Sequence, residues 1–462
     1  MESTDVLVVG AGPTGLLLAG DLAEAGVAVT VLDRRADGES NLTRAFVVTP
    51  RTLEELDARG LADELAATGS TITEMRLYRK LWVDVSVLPT RFPYFLLTPQ
   101  FRTEAALRER AERAGARIVW SSEVTKVSQS ETGVEVVTGA SSGQPGRWRA
   151  RYLVGADGAH STIRRALGEP FPGEQIVQSM MLADVRFAEP ARSAMRSDAG
   201  PGGFAFHVPF GDGWHRVIAW NRDDQRPPGA ALELDEIKAM ARRVFGTDYG
   251  MHSPRWLSRI ESDERQVARY RIGRAFLMGD AAHVHTPAGG QGMNTGLQDA
   301  ANLSWRLAAA VHGYGATDDV LDGYQRERHP VGSQVLKNSG GLMRIAMTGS
   351  APRRALRALR LGGVSDRLRL PARIAARMTG LDIHYPAPAD AHPSVGHRVP
   401  DLQLAGGARL YEALRGGRFV FVPGRSATRH QPWPGPVTAV RATRPPRHSL
   451  LIRPDGYLAW AS

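Results

Sequence analysis

The period of the hydrophobic pattern changes several times along the chain. Val6–Val9 is an unbroken β-branched run, as expected of a strand buried on both faces, and Leu16 to Ala25 then carries apolar residues at helical spacing. Ala28–Leu32 reads as a second buried strand. Thr49-Pro50 opens a helix that runs through Leu53 and Leu56 to Gly60, and Thr103-Glu104 opens another that stops at Gly115. Strands are expected at Ala116–Val119, Val134–Thr138 and Tyr152–Val154. From about Glu174 to Ala268 the texture becomes short β segments with aromatics, interrupted by one amphipathic helix over "LELDEIKAMARRVF". "GRAFLMGD" is a further strand ending in Asp280, and Met293 to Val311 is a long helical pattern.

The joints between these elements carry the chemistry. Gly10-Ala11-Gly12-Pro13-Thr14-Gly15 links the first strand to the first helix. Gly10 permits a tight turn, Gly12 lets a pyrophosphate approach the backbone, Gly15 allows close helix–strand packing, and the helix N-terminus faces the anion. The second strand ends in Asp33, where a carboxylate can accept hydrogen bonds from a ribose. Strand, glycine turn, helix, strand and acid in that order predict a dinucleotide site in an α/β Rossmann-like domain. In "RYLVGADGAHSTIRRALG", Asp157-Gly158 turns at a strand end and Ser161 can cap a short helix. "TPAGGQG" places backbone amides at the start of the long helix, where they can donate to an electron-rich ring edge or a phosphate.

Composition narrows the field. The 462 residues, 42% hydrophobic and 23% charged, suffice for two or three domains. The net charge of +10 is carried almost entirely by arginine; without an aromatic-interleaved basic patch it reads as a basic surface rather than a nucleic-acid site. Such a field still attracts phosphorylated cofactors. The absence of cysteine excludes disulfides and thiolate chemistry and fits a reducing cytoplasm. Acids at Glu2, Asp5, Asp21 and Glu24 argue against a signal peptide, and no apolar stretch is long enough for a membrane span. His283 and His285, two apart without nearby carboxylate ligands, do not make a metal site. "APRRALRALRLGGVSDRLRLPARIAARM" is basic with helical period and reads as a solvated helical face packed on the nucleotide domain. Phe204, Phe206, Phe210, Trp214 and Trp220, with Trp82 and Tyr94 from an earlier insertion, are candidates for an aromatic-accepting wall. His207, His215 and His283 are the candidate general bases.

Three separated motifs, "GAGPTG" with Asp33, "GADGAHSTIR" and "GDAAHVHTPAGGQGMNTGLQDA", resemble the single-component FAD-dependent aromatic hydroxylases, those like p-hydroxybenzoate hydroxylase. Within them the likeness is to bacterial aromatic-polyketide hydroxylases. "PRTLEELDARG" and "YQRERHPV" support it, and it spans roughly residues 5 to 340. The resemblance implies that Gly10, Gly12, Pro13, Thr14, Gly15 and Asp33 hold the adenosine half of FAD. Arg44 would lie near the pyrophosphate, Gln100 would contact the cofactor, and Arg34 and Val124 are further contact candidates. Asp157 would be linked to FAD and to the nicotinamide cofactor. Gly279 and Asp280 would take the ribityl and pyrophosphate region, and Pro287, Gly290, Gln291, Gly292, Met293 and Asn294 would lie against the isoalloxazine. At Asp33 the family usually carries glutamate.

The implied reaction has NADPH or NADH reduce FAD, O2 add to the flavin, and the resulting hydroperoxide deliver OH to a phenolic ring. Baeyer–Villiger-type insertion and a non-catalytic flavin-binding scaffold are the alternatives. No second GxGxxG unit serves NAD(P)H, which agrees with the family. The implied architecture is a discontinuous FAD-binding domain (1–72, 93–173 and 268–340) with an inserted β-sheet substrate domain (73–92 and 174–267). A helical connector (341–393) then leads to a small thioredoxin-like α/β domain (394–462) that reads as incomplete. The expected partner is a small aromatic substrate, with neither nucleic acid nor membrane, and a homodimer fits the resemblance.

Overall fold

The computed structural model describes residues 1–38, 45–77, 81–139, 146–191, 195–200, 202–227, 229–315, 317–347, 368–425 and 435–462. Strand Glu2–Val9 lies at the centre of an eight-stranded sheet, parallel to Val29–Leu32 on one side and to Arg147–Gly155 on the other. Arg117–Val119 and Ala275–Leu277 continue the parallel order outward. Val134–Thr138 and Val124–Gln129 form an antiparallel flap on the first half of Arg147–Gly155. Val6, Leu7 and Val8 are fully buried, which is why the central strand is continuously apolar in sequence. Helix Gln100–Arg113 begins directly after an extended Pro99, ahead of the expected start at Thr103.

The second layer is a six-stranded sheet in the order Arg196–Gly200, Gly203–Pro209, His215–Asn221, Gly173–Arg186, His252–Gln266 and His283–Val284. Two-residue alternation sorts its side chains. Phe204, Phe206, Val208, Ile218 and Trp220 share one apolar cluster, whereas Ala205, Val217 and Ala219 belong to another, beneath helix Leu234–Phe245. That helix is bounded by a Glu233/Glu236 capping box and by Gly246 in the left-handed region. The last pairing, Gln266 opposite His283, stitches this sheet to the third motif.

The segment after residue 340 is not uniformly helical, contrary to the sequence expectation. Helix Thr317–Met347 runs into it, but Leu368–Arg369 then pairs in parallel with Leu81–Asp84, completing a three-stranded sheet with Glu74–Leu77. Helix Ala372–Thr379 follows, and among the described residues none from 380 to 393 is helical. Most of the basic stretch, residues 351–367, lies outside the described residues. No helix among the described residues is long and apolar enough to cross a membrane.

The C-terminal sheet runs Val437–Ala439, Phe419–Val422, Leu450–Ile452, Leu458–Ala461, with the first pair parallel and the others antiparallel. It docks through apolar contact, with Trp305 edge-on to Phe419 at 5.5 Å, and through charge. Helix Pro50–Asp57 buries Arg51, Glu54, Glu55 and Asp57, a set that needs partners once removed from water. Arg398 reaches Glu54 at 2.8 Å, Arg409 reaches Asp57 at 2.6 Å, and Arg453 pairs with Glu327 on the long helix at 2.8 Å.

Candidate active site

The glycine turn is shaped by contact on one side and by openness on the other. A Cβ on Gly15 would lie 2.0 Å from the Gly10 carbonyl oxygen, and one on Gly10 would lie 2.3 Å from the Ala156 carbonyl oxygen. At Gly12 no described atom lies within 4 Å of that position. Helix Pro13–Glu24 starts here with Pro13 in its first turn, no described side chain caps it, and its first turn holds no acid. Its free N–H groups and the positive end of its dipole therefore face open space, which fits a pyrophosphate. The third motif comes to the same place: Thr14 is the nearest neighbour of both Gly279 and Gly296.

Asp33 ends the second strand and is buried. Its carboxylate accepts the Ala11 N–H at 2.6 Å and the N–H and guanidinium of Arg35 at 2.8 and 3.1 Å. Arg35 also donates to the Ala11 carbonyl at 2.9 Å and to Glu104 at 3.4 Å, and Glu104 takes the Gln100 amide at 2.7 Å. Gln100, Asp33 and the glycine turn are thus joined through Arg35 and Glu104, two residues absent from the sequence expectation. Arg34, the expected arginine, is exposed. Val124 is buried in the core of the nucleotide domain, and Arg44 lies outside the described residues.

Asp157 sits at its expected strand end, but both carboxylate oxygens are engaged by the following helix. One accepts the Ser161 hydroxyl; the other accepts the N–H groups of Thr162 and Ile163 at 2.7 and 3.1 Å. Burial pushes its pKa up against these hydrogen bonds. Ser161 in turn accepts the Arg164 N–H at 2.9 Å as the helix cap. Ser161→Ala is expected to cost about 1–2 kcal/mol of stability, measured by denaturant unfolding.

In the third motif Asp280 is exposed on the short turn Gly279–Ala281. A different acid holds that turn. Asp299 accepts the Gly279 N–H at 3.1 Å, contacts His283 Nε2 at 2.6 Å and accepts Arg328 Nε at 2.7 Å, with all three side chains fully buried. The "YQRERHPV" segment supplies Arg328, so two motifs far apart in sequence close on one ion pair. Beyond the turn, Pro287, Gly290, Gln291, Gly292 and Met293 are half-buried on the loop, and no side chain among the described residues caps the start of helix Gly292–His312. The buried Asn294 side chain braces the loop: it accepts the Thr49 N–H at 2.9 Å and donates to the carbonyls of Val47 and Gly290 at 2.8 and 2.7 Å.

The aromatic wall differs from expectation in membership. Phe204 and Trp220 stack at 5.9 Å, and Phe206 packs against Phe46, also at 5.9 Å. The same apolar cluster takes in Val47 and Ala288 from beside and within the glycine loop. Phe210 belongs to the same cluster, fully buried and lying between Arg216 and Arg255. Tyr94 packs on the nucleotide-domain core, and it is Phe95 that enters the aromatic cluster. Val83 and Val85 do likewise where Trp82 was expected. Arg216 was not anticipated: it makes a buried two-point pair with Asp184, at 2.8 and 3.0 Å, and lies over Phe46, Phe210 and Trp256. Alternation in "HRVIAW" placed it in phase with Ile218 and Trp220.

None of the three histidines is presented to that wall as a free base. His207 and His215 are in phase with the opposite face of the sheet, in an aromatic group with Phe187 and Tyr249. Burial drives His207 down to about 3 and lowers His215 as well. His283 is engaged by Asp299.

Residues 3–339 match the FAD binding domain family, and residues 392–462 match the aromatic-ring hydroxylase C-terminal family. The chain belongs to the FAD-binding aromatic-ring hydroxylases. It is a flavin-dependent aromatic monooxygenase. This hydroxylase is 37% identical to the 12-dehydrotetracycline 5-monooxygenase/anhydrotetracycline 6-monooxygenase of Streptomyces rimosus, across 99% of this chain and 95% of that one. It is 36% identical to a rifampicin monooxygenase of Streptomyces venezuelae, with the same coverage. Among solved structures, the anhydrotetracycline hydroxylase OxyS of Streptomyces rimosus superposes with a TM-score of 0.84 at 34% identity, covering 100% of this chain and 96% of that one.

Proposed function

We propose that this hydroxylase inserts one oxygen atom from O2 into a polycyclic, phenol-bearing aromatic of the polyketide type, with NADPH or NADH as the reductant. When bound, FAD supplies the oxygen activation. The chain's residues supply the geometry. The open end of helix Pro13–Glu24 holds the pyrophosphate, and the Asp33 corner, fixed by Arg35, meets the ribose. The N–H groups at the start of helix Gly292–His312 would lie beside the isoalloxazine and would stabilise negative charge on it. The observation that carries the reading is that Ala288 of the glycine loop and Val47 beside it share one apolar cluster with Phe46, Phe206 and Trp220. A flat ring held on that wall lies next to the loop, and the wall excludes water from it.

The aromatic substrates named for the Streptomyces relatives support the substrate class. The test follows NADPH oxidation and oxygen uptake by the FAD-loaded protein against a panel of anthraquinone, tetracyclic and monocyclic phenols. Polycyclic phenols are expected to stimulate both at least tenfold and to yield a product heavier by one oxygen. Stimulation by monocyclic phenols alone removes the polyketide assignment. A lactone or ester product moves the reaction to ring insertion.

A further inference from the structure

The tip of the last hairpin reaches three helices of the FAD-binding domain. Strands Leu450–Ile452 and Leu458–Ala461 are joined by Arg453-Pro454-Asp455-Gly456-Tyr457, a turn closed by the Gly456 N–H on the Arg453 carbonyl at 2.9 Å, with Gly456 in the left-handed region. Connecting turns ordinarily run over the surface. Every residue of this one is buried. Arg453 forks onto Glu327 of helix Thr317–Met347 at 2.8 and 2.9 Å, and Asp455 accepts the Asn302 amide of helix Gly292–His312 at 3.3 Å. The Asp455 carbonyl accepts Arg51 of helix Pro50–Asp57 at 2.5 Å, and the Tyr457 ring lies under that guanidinium at 5.0 Å.

Two buried routes lead from the tip to the flavin loop. Along the first, Arg51 stands two residues after Thr49, whose N–H is held by the same Asn294 side chain that braces Val47 and Gly290. Along the second, Tyr457 packs on Tyr385 at 4.2 Å, the Tyr385 hydroxyl accepts Arg328 at 3.2 Å, and Arg328 donates to Asp299 and to the Thr295 carbonyl in the first turn of helix Gly292–His312. Asp299 in turn holds the Gly279 N–H. Both routes end on the third motif.

Set beside apolar packing, buried ion pairs add little to stability; what they can add is a single permitted arrangement. An apolar tip of the same volume would dock the domain as firmly, so a charged one points to alignment of the three helices.

We propose that the turn at 453–457 is a positioning element of the flavin site, with Arg453 its principal residue. It sets helix Pro50–Asp57 against helix Gly292–His312 and so fixes the loop at 287–294. The proposal rests on the reading that this loop lies beside the isoalloxazine, and it is independent of the substrate.

The experiment compares FAD affinity, by fluorescence titration, and the visible absorption band of the bound flavin, both read below the unfolding temperature of each variant. Arg453→Met is expected to weaken FAD binding about tenfold and to shift the band. Arg409→Met is the control, because Arg409 docks the same domain on Asp57, at the far end of helix Pro50–Asp57, at 2.6 and 3.0 Å. It should lower the thermal midpoint and leave both flavin readouts at wild-type values. If Arg453→Met does not fold, Gly456→Ala repeats the test with every charge kept: its Cβ would stand 3.2 Å from the Tyr411 hydroxyl and 3.3 Å from the Arg51 guanidinium, and the band should shift the same way. Gly290→Ala disturbs the loop directly, with its Cβ 3.1 Å from Val47. Wild-type affinity and spectrum in the turn variant, or equal shifts in Arg409→Met, overturn the proposal. If Gly290→Ala is silent as well, the placement of the isoalloxazine falls too; if Gly290→Ala alone shifts the band, that placement stands and only the role of the turn is lost.

Discussion

A Gly12→Val variant is expected to fold as the wild type does and to lose FAD. Gly12 has φ −76° and ψ 177°, an extended conformation that valine adopts readily, and no described atom lies within 4 Å of its would-be Cβ. The protein by itself therefore offers no steric objection, and the apo stability should change by no more than about 0.5 kcal/mol. The cofactor does object. Valine methyls would stand where a pyrophosphate reaches the free N–H groups of helix Pro13–Glu24. Each lost hydrogen bond to a charged group is worth about 1.5–3 kcal/mol. Losing two weakens binding by about 100-fold or more. Fluorescence titration with FAD measures the affinity, and thermal unfolding of the apoprotein measures the fold. Gly15→Ala is the contrasting control: its Cβ would lie 2.0 Å from a backbone oxygen, so it should damage folding itself. Wild-type FAD affinity in Gly12→Val would remove the pyrophosphate from this turn.

That contrast also shows what periodicity and glycine spacing can reveal. Central strands, long helices and the glycine turn were legible because each is written locally, in a period or in a turn that excludes a Cβ. Side-chain phase in short elements was not. Phe95–Leu97 has too few residues to declare which side faces the sheet, and so Tyr94 was expected where Phe95 stands. That Arg35 turns back onto Asp33 depends on how the chain bends after the strand, which the dipeptide does not encode. Asp157 was legible as a position, whereas its hold on the following helix was not: its carboxylate accepts from Ser161, Thr162 and Ile163, which a strand-end acid before a helix allows without any local signal. The charged helix Pro50–Asp57 was legible only as a helix. Its acids are buried only because the C-terminal domain, more than three hundred residues downstream, brings arginines to them. Asp299 drew no expectation, because an acid inside a long helix pattern carries no local sign that it will reach back to a turn twenty residues earlier.

Arg328→Met should expose that buried acid. Burial pushes the Asp299 carboxyl upward, but Arg328 and His283 together outweigh it and hold the group below its usual 3.8. An acid depressed in the folded state contributes stability that is present above its unfolded pKa and is lost as pH falls through the folded value. In the wild type that loss therefore begins only below about pH 4. Removing Arg328 leaves Asp299 with His283 and the Gly279 N–H in a site where both Asp299 and Arg328 side chains had no exposure. Breaking a fully buried pair from one side costs about 3–5 kcal/mol, because the remaining charge is uncompensated. The sign of the pH dependence then reverses. With its pKa raised by burial, Asp299 penalises the fold while ionised, and the penalty is relieved as pH falls and the carboxyl protonates. The stability gap between wild type and variant should be widest at neutral pH and should narrow toward pH 4. Urea unfolding at a series of pH values reads it directly. Because the Gly279 turn hangs on the same carboxylate, FAD affinity at neutral pH should fall with the stability. Arg328→Met/Asp299→Leu, which removes both charges, should recover most of the stability while its Gly279 N–H still lacks an acceptor. A gap that is small at neutral pH, or that grows as the solution is acidified, would show that this pair does not hold the turn.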